Sequence, residues 1–408
     1  MNAERTGLWA VVQREYRRLP PLYWTLWLGT LINKAGGFVV PFLALYVTGR
    51  GGSEADAGLI LALYGAGSVL AGITGGVLAD RRGRRLTMLG SLFGGAAALL
   101  AMGLCRSLWW LGGFTFVMGW AVDLFRPAVA AAVADIVPAP ERERAYGYLY
   151  WAINLGFALA STIGGLVASL NHFALFALDA ATMLAFAGLV LTRVSETRPP
   201  GLEHVVTVPI ASGSGLGQVA GDRTFLGFCV MSFGTAIVMW QSGVALPLDM
   251  RRHGIDISTF GLLMGINGLI IIVVQPVLTP RLARIPRTLV LALAALLFGI
   301  GFGSYAVVDT VGGYALAIAL WTLGEIALLP TSSSVVADLA PSALRGSYQG
   351  IYSMSWGLAS CAGPVLGGAV LASHGGVSLW FGCFVLMLAV SSGHLLLGPE
   401  RTRRESRA

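Results

Sequence analysis

Charge is scarce in this chain. Aspartate, glutamate, lysine and arginine make up 12% of its 408 residues, about half the roughly 25% of an average globular protein. The hydrophobic share is 56% and the mean hydropathy +0.74. A folded soluble protein has no interior large enough for that apolar surface, so the water-soluble classes are excluded. The net charge of +7 does not mark a nucleic-acid partner, because the basic residues stand singly or in short clusters between apolar runs. Cysteine is also rare. Cys105, Cys229, Cys361 and Cys383 lie in or at the ends of apolar segments without a pairing pattern, which excludes a disulfide scaffold. All five histidines (His172, His204, His253, His374, His394) fall in loops or near helix ends, so a histidine proton relay or a metal site within the membrane is excluded. Zinc-ligand spacing, a phosphate-cradling loop and a nucleophile elbow are all missing, which argues against an enzyme and against a cofactor.

What the chain has in quantity is long apolar runs. About 20 such residues cross the hydrocarbon core of a bilayer. Twelve runs are long enough: 21–48, 55–79, 86–106, 108–136, 142–169, 172–193, 223–249, 256–280, 287–308, 311–338, 343–371 and 376–397. The expected architecture is an all-α membrane protein of two six-helix bundles, 21–193 and 223–397. Residues 194–222, with Pro199-Pro200 and Gly213-Ser214-Gly215, read as the linker. Residues 398–408 read as a tail and 1–20 as an amphipathic, arginine-bearing segment on the membrane surface. Most of the 27 Lys and Arg residues fall in the two ends, the linker and the turns at 81–85, 142–144, 281–287 and 345. That bias places both ends and the linker on the cytoplasmic side. The 55 glycines suit helices that pack backbone to backbone.

The two halves repeat each other. At an offset of about 200, Gly76-x-Leu78-x-Asp80-Arg81 matches Pro276-x-Leu278-x-Pro280-Arg281. At an offset of 203, Pro127, Asp135, Pro138, Arg142, Gly147, Gly164 and Gly165 match Pro330, Asp338, Pro341, Arg345, Gly350, Gly367 and Gly368. A duplicated unit of this kind places a substrate site near mid-membrane between the halves.

One charged turn interrupts the apolar runs most sharply: Gly76-Val77-Leu78-Ala79-Asp80-Arg81-Arg82-Gly83-Arg84-Arg85. This stretch resembles the loop signature between the second and third helices of the major facilitator superfamily. The resemblance implies alternating access of two bundles around a cavity lined by helices one, four, seven and ten, usually in a monomer. It also implies a cytoplasmic gate of Gly76, Asp80, Arg81, Gly83, Arg84, Arg85 and Arg142, with Asp80 facing the positive N-terminal end of helix eleven near Ala343 to Gly350. A carboxylate is favoured at a helix N-terminus.

Lys34, the only lysine, sits near the centre of the first run. A central charge costs roughly 3 kcal/mol on insertion scales, so it needs a wet cavity or a partner. Asp123 and Arg126, spaced i, i+3 on the fourth run, share one face and pair. Glu325 on the tenth, within Leu323-Gly324-Glu325-Ile326 and before Pro330, has no charged neighbour in sequence, so with Asp123 it is a candidate proton carrier. These groups are expected to converge at one depth. Asn33, Asn154, Gln241 and Asn267 either hydrogen-bond between helices or line the cavity with Trp240 and Trp321. Asp179 reads as structural.

Two features separate branches of the family. The Gly-Pro-x-x-Gly-Gly signature of drug–proton antiporters is replaced on helix five by Ala160-Ser161-Thr162-Ile163-Gly164-Gly165, and appears intact on helix eleven as Gly363-Pro364-Val365-Leu366-Gly367-Gly368. Tyr150-Trp151-Ala152-Ile153-Asn154-Leu155-Gly156 resembles the fifth-helix signature of proton-coupled oligopeptide transporters, and Gly324-Glu325 with Pro330 matches their tenth. Their first-helix Glu-x-x-Glu-Arg-Phe is absent, with Asn33-Lys34 in its place. The expectation is a proton-coupled exporter of small amphipathic or drug-like molecules in a bacterial inner membrane, driven by the proton gradient. Import of peptides or other metabolites is the alternative.

Overall fold

A computed structural model describes residues 17–198 apart from 139–140, residue 219, and residues 221–405 apart from 283 and 341–344. Most of the expected surface segment 1–20, most of the linker 194–222, and residues 406–408 of the tail lie outside the described residues, as does the side chain of Asp80. Every regular element among the described residues is a helix. In chain order they are α1 (Pro21–Ala35), α2 (Val39–Gly49), α3 (Glu54–Arg82), α4 (Arg84–Leu104), α5 (Leu108–Asp123), α6 (Phe125–Ile136) and α7 (Arg142–Leu170). There follow α8 (His172–Arg193), α9 (Arg223–Trp240), α10 (Ala245–Arg252), α11 (Ile257–Leu282), α12 (Arg287–Ser304), α13 (Val311–Leu339) and α14 (Arg345–Glu405).

Eleven helical stretches among these residues are long and apolar enough to cross a bilayer. The last, Tyr348–Pro399, has 52 residues. Run straight it would measure about 78 Å, more than twice a hydrocarbon core of roughly 30 Å. It turns back at Gly375, where φ is 79°. A side chain is strained at that φ, and only glycine adopts it freely. The stretch therefore supplies two crossings, and the total is twelve. Crossing 1 is α1 with α2, crossing 4 is α5 with α6, crossing 7 is α9 with α10, and crossings 11 and 12 are the two arms of α14.

Crossings 1, 4 and 7 are broken, and for one reason. Pro41, Pro127 and Pro247 lack the N–H that would bond to the carbonyls of Gly37, Asp123 and Gly243, four residues earlier. The helix ends at Ala35, Asp123 and Trp240 and restarts at Val39, Phe125 and Ala245. Pro330 and Pro364 also lie in crossings yet do not break them. Here the freed carbonyl is used instead: the Ser360 carbonyl lies against Gly65 of α3, where a Cβ would collide with it.

The bundles touch over only half their depth. Pro364 and Gly368 pack on Gly58, Ser360 on Gly65, Gly357 on Val69, Gly165 on Gly261, and Gly268 on Ala158. Phe42 meets Phe260 edge to face at 5.6 Å, and Arg252 bonds to Glu54 at 2.6 Å. All these contacts lie away from the face that carries the 81–85 turn. Towards that basic face, a Cβ at Gly72, Gly76, Gly147 or Gly350 would meet nothing within 4 Å. The open space at these four positions accords with a cleft between the bundles on the basic face.

The basic turn itself is held within the first bundle. Gly83, at φ 98°, joins α3 to α4 with the Glu196 carboxylate packed where a Cβ would stand. That carboxylate accepts the backbone N–H of Arg84 at 2.9 Å, Arg85 at 3.2 Å, Thr197 at 3.0 Å and Arg198 at 3.0 Å. It therefore caps the start of α4, where free N–H groups favour an anion. Arg84 Nε bonds to Asp135 at 3.0 Å. The second bundle repeats this pair as Arg287 with Asp338, the same offset of 203 that runs through the sequence repeat.

Partial burial of Glu196 opposes its ionisation, but the backbone donors of Arg198, Arg84, Arg85 and Thr197 outweigh it and hold the carboxyl below the usual range. A carboxyl depressed in the folded state contributes stability that is fully present above its unfolded value of about 4.3 and is lost as pH falls through the folded value. Melting temperature in detergent should therefore fall with pH below about 4.3. Glu196→Gln should flatten that slope; a slope unchanged in the variant refutes the cap.

Candidate functional site

The cleft walls differ in charge. On the first bundle, Asp123 ends α5 at the break of crossing 4, and its carboxylate is 7% exposed. One oxygen accepts the Ser68 hydroxyl of α3, and the other lies 3.3 Å from Arg126 Nε. Arg126 begins the next helical segment, and its side chain is 65% exposed. An arginine so open within a membrane protein faces water rather than lipid, since lipid offers its five donors nothing. Lys34 of crossing 1 is half-buried and lies within electrostatic reach of Arg126, Asp123 and Asp179. Tyr64 of α3 belongs to the same cluster. Asn33, one residue before Lys34, is buried in the packing of crossing 1.

On the second bundle the cleft wall carries a carboxylate. Glu325 is buried on α13 and accepts Asn267 Nδ2 at 3.2 Å, and the same amide donates to Thr322 Oγ1 at 2.8 Å. Tyr150 on α7, from the first bundle, lies within electrostatic reach of Glu325. Asn154, one turn further along α7, donates to the Tyr150 carbonyl at 2.9 Å and is half-buried.

The structure separates what the sequence pattern grouped together. Lys34, Asp123 and Arg126 do come together, and Asp179 joins them from crossing 6. Glu325 is not among the groups that reach Lys34; its neighbours are Asn267 and Tyr150. One convergent cluster is thus replaced by two sites on opposite bundles, because the break at Asp123–Phe125 keeps Asp123 and Arg126 against their own bundle.

Two residues expected in the cavity are packed away from it. Trp321 is 2% exposed; it donates to Tyr305 at 2.9 Å and packs on Phe298 and Phe302 at 5.8 and 5.3 Å. An indole fits the interior of the second bundle here because its N–H finds a partner. Gln241, 1% exposed, serves the break in crossing 7. Its amide donates to Ile237 at 2.8 Å and across to Gly363 at 2.9 Å. Gly367 leaves room for its oxygen, and Gly363 for Trp240, which stays half-buried. The intact Gly363-Pro364-x-x-Gly367-Gly368 stretch is the seat of that break.

The gate residues also find partners in their own bundle. Arg198 donates to the Arg81 carbonyl at 2.7 Å and Arg85 to Leu191 at 2.8 Å. Arg142 donates to Val137 at 3.1 Å and Ala134 at 2.7 Å. Gly76 lies on the open side of α3. Of the expected partner region of Asp80, Ala343 to Gly350, residues 343–344 and the side chains of 345–347 lie outside the described residues, as does the Asp80 side chain.

Comparison with known proteins accords with this geometry. The family model described as Major Facilitator Superfamily matches residues 26–242 and 228–407. An uncharacterised transporter of that type from Bacillus subtilis is 25% identical, covering 94% of this chain and 93% of its own length. A Na(+), Li(+), K(+)/H(+) antiporter from Planococcus maritimus is 25% identical over 82% of this chain and 85% of its own. The quinolone resistance protein NorA of Staphylococcus aureus is 30% identical over 33% of this chain and 35% of its own. Among solved structures, a peptide transporter POT in complex with sulfate superimposes with a TM-score of 0.76 at 18% identity, covering 94% of this chain and 96% of that one. That likeness is one of fold.

Replacing Trp321 with Phe removes the bond to Tyr305 and strands a buried hydroxyl. A loss of about 1 kcal/mol in stability follows, measured as a lowered melting temperature in detergent. An unchanged melting temperature would take the indole out of the packed interior.

Proposed function

Because the chain belongs to the Major Facilitator Superfamily, as the match across both its halves establishes, we propose that it is a proton-coupled exporter of small amphipathic or drug-like molecules across the bacterial inner membrane, working by alternating access. It is a transporter and not an enzyme. In this reading the basic face is cytoplasmic, and the cleft is the cavity open to the cytoplasm.

One observation carries the coupling: a buried carboxylate, Glu325, is held by an amide and reached by a tyrosine, while the cations stand on the other wall. A charged pair beside it would keep it ionised permanently. An amide and a hydroxyl serve either protonation state, since Asn267 donates to a carboxylate and its oxygen accepts from a carboxylic acid. Glu325 therefore takes up and releases the proton. Asp123, tied to Arg126, does so when substrate or water draws the exposed guanidinium away. Arg126, Lys34 and Asn154 meet the polar part of the substrate, while Trp240 and Asn267 contribute from the other bundle. The antiporter among the relatives and the partial likeness to a quinolone resistance protein support export.

Peptide or metabolite import is a second reading, supported by the approach of Tyr150 to Glu325 within a segment that resembles the peptide-carrier signature. Proteoliposomes with imposed pH gradients of both signs, loaded in turn with cationic dyes and short peptides, separate the two. Export predicts that substrate moves against the proton flow. Glu325→Gln should abolish gradient-driven transport and leave counterflow exchange intact. Gradient-driven transport that survives in the variant refutes the role of Glu325.

A further inference from the structure

Asp179 is the buried carboxylate that neither wall of the cleft uses. It lies on α8 in crossing 6, 6% exposed, and it is seated in the break of crossing 1. Its Oδ2 accepts the backbone N–H of Val39, the first residue of α2, at 3.3 Å, while the N–H of Phe38 turns back on the Gly36 carbonyl at 2.7 Å. The break is keyed to this helix: Thr182, one turn on, fills the space where a Cβ at Gly36 would lie. Asp179 is thus a helix cap supplied from another crossing, where a charged acceptor makes bonds roughly twice as strong as a neutral one and faces the positive end of a helix.

The charged groups that face it are few. Lys34 comes from crossing 1 and Tyr64 from crossing 2, and Asp123 and Arg126 of crossing 4 reach it through those two. Crossings 3 and 5 pack here through Gly95, against Met183, and Gly156, against Lys34. The helix that Asp179 caps carries the outer closure. From α2, Phe42 meets Phe260 and Thr48 accepts Arg251 at 3.2 Å, both across to the second bundle.

We propose that Asp179 is a proton-binding site whose ionised form locks the outer face shut through α2. A proton bound at Asp179 converts the carboxylate to the neutral acid. One oxygen then carries the proton, the charge-assisted bond to Val39 weakens, and α2 is freed to leave Phe260 and Arg251. This inference rests on the proton-coupled reading above and makes it specific.

The test uses the full chain with Cys105, Cys229, Cys361 and Cys383 replaced by alanine and spin labels at Trp109→Cys and Val307→Cys. These positions, at the start of α5 and just after the end of α12, are 90% and 86% exposed, one on each bundle. Distances are measured without substrate between about pH 5 and pH 9, a range that spans ordinary and raised carboxyl values. In the labelled parent, acid should shift the population to longer outer distances; no change with pH overturns the proposal. In Asp179→Asn the pH response should be lost, with the longer distance present throughout, while a response equal to the parent's overturns it. Should Asp179→Asn fail to fold, Asp179→Glu is measured instead, and its midpoint should move; an unmoved midpoint overturns the proposal. Glu325→Gln should retain the outer response. A protein that keeps the Asp179 response but transports without regard to the pH gradient would sink the proposed function and leave the lock standing.

Discussion

A carbonyl or amide released inside a bilayer has no water to bond to, and the three broken crossings are where this molecule meets that constraint. Each break is set by a proline four residues on, and each is resolved differently. In crossing 1 the freed amide of Val39 is taken by Asp179 from crossing 6, and that of Phe38 by the Gly36 carbonyl. In crossing 7 the Gln241 side chain turns back on Ile237 and reaches over to Gly363. In crossing 4 the break places Asp123 and Arg126 on either side of it, so that the pair sits where the backbone itself is polar. The polar groups of the cleft are therefore consequences of backbone chemistry as much as of side-chain choice.

This explains why the two walls are unlike. Crossings 1 and 4 belong to the first bundle, and their breaks gather Lys34, Asp123, Arg126 and Asp179. The corresponding break in the second bundle is filled by an uncharged glutamine, and its unbroken crossing 10 carries Glu325. The duplicated frame is strict where it holds the turns, as the pairs Arg84 with Asp135 and Arg287 with Asp338 demonstrate. It is loose where the charges differ. In the function proposed for this chain, matched bundles rock as equals, while mismatched walls give a substrate and a proton different places to bind.

Much of the fold was legible beforehand because hydropathy, the repeat and the charged turn are local signals. Twelve runs, the reversal between crossings 11 and 12, and the family all follow from residues close in sequence. The site was legible only in part. Lys34, Asp123 and Arg126 were found because a charge in an apolar run is conspicuous. Their meeting with Asp179 was missed, since a carboxylate that caps another helix leaves no trace in its own segment. Glu196 was hidden for the same reason, in a stretch that reads as linker yet caps a helix 112 residues away in sequence. Trp321 and Gln241 were placed in the cavity by depth alone; depth is set by sequence position, but direction around the helix is set by packing.

The prolines at 41, 127 and 247 were in plain view and carried the strongest unused signal. Read singly, each is a helix irregularity. Read together, with a glycine or an aspartate four residues before each, they mark the three crossings whose polar backbone opens towards the cleft. The chain then needs no dense polar lining. Four ionisable groups at two breaks, and one carboxylate opposite, supply the chemistry, and the rest of the interior is free to be apolar, glycine-rich and closely packed. That economy accounts for the scarcity of charge within the crossings: it is gathered where the helices are already interrupted and at Glu325.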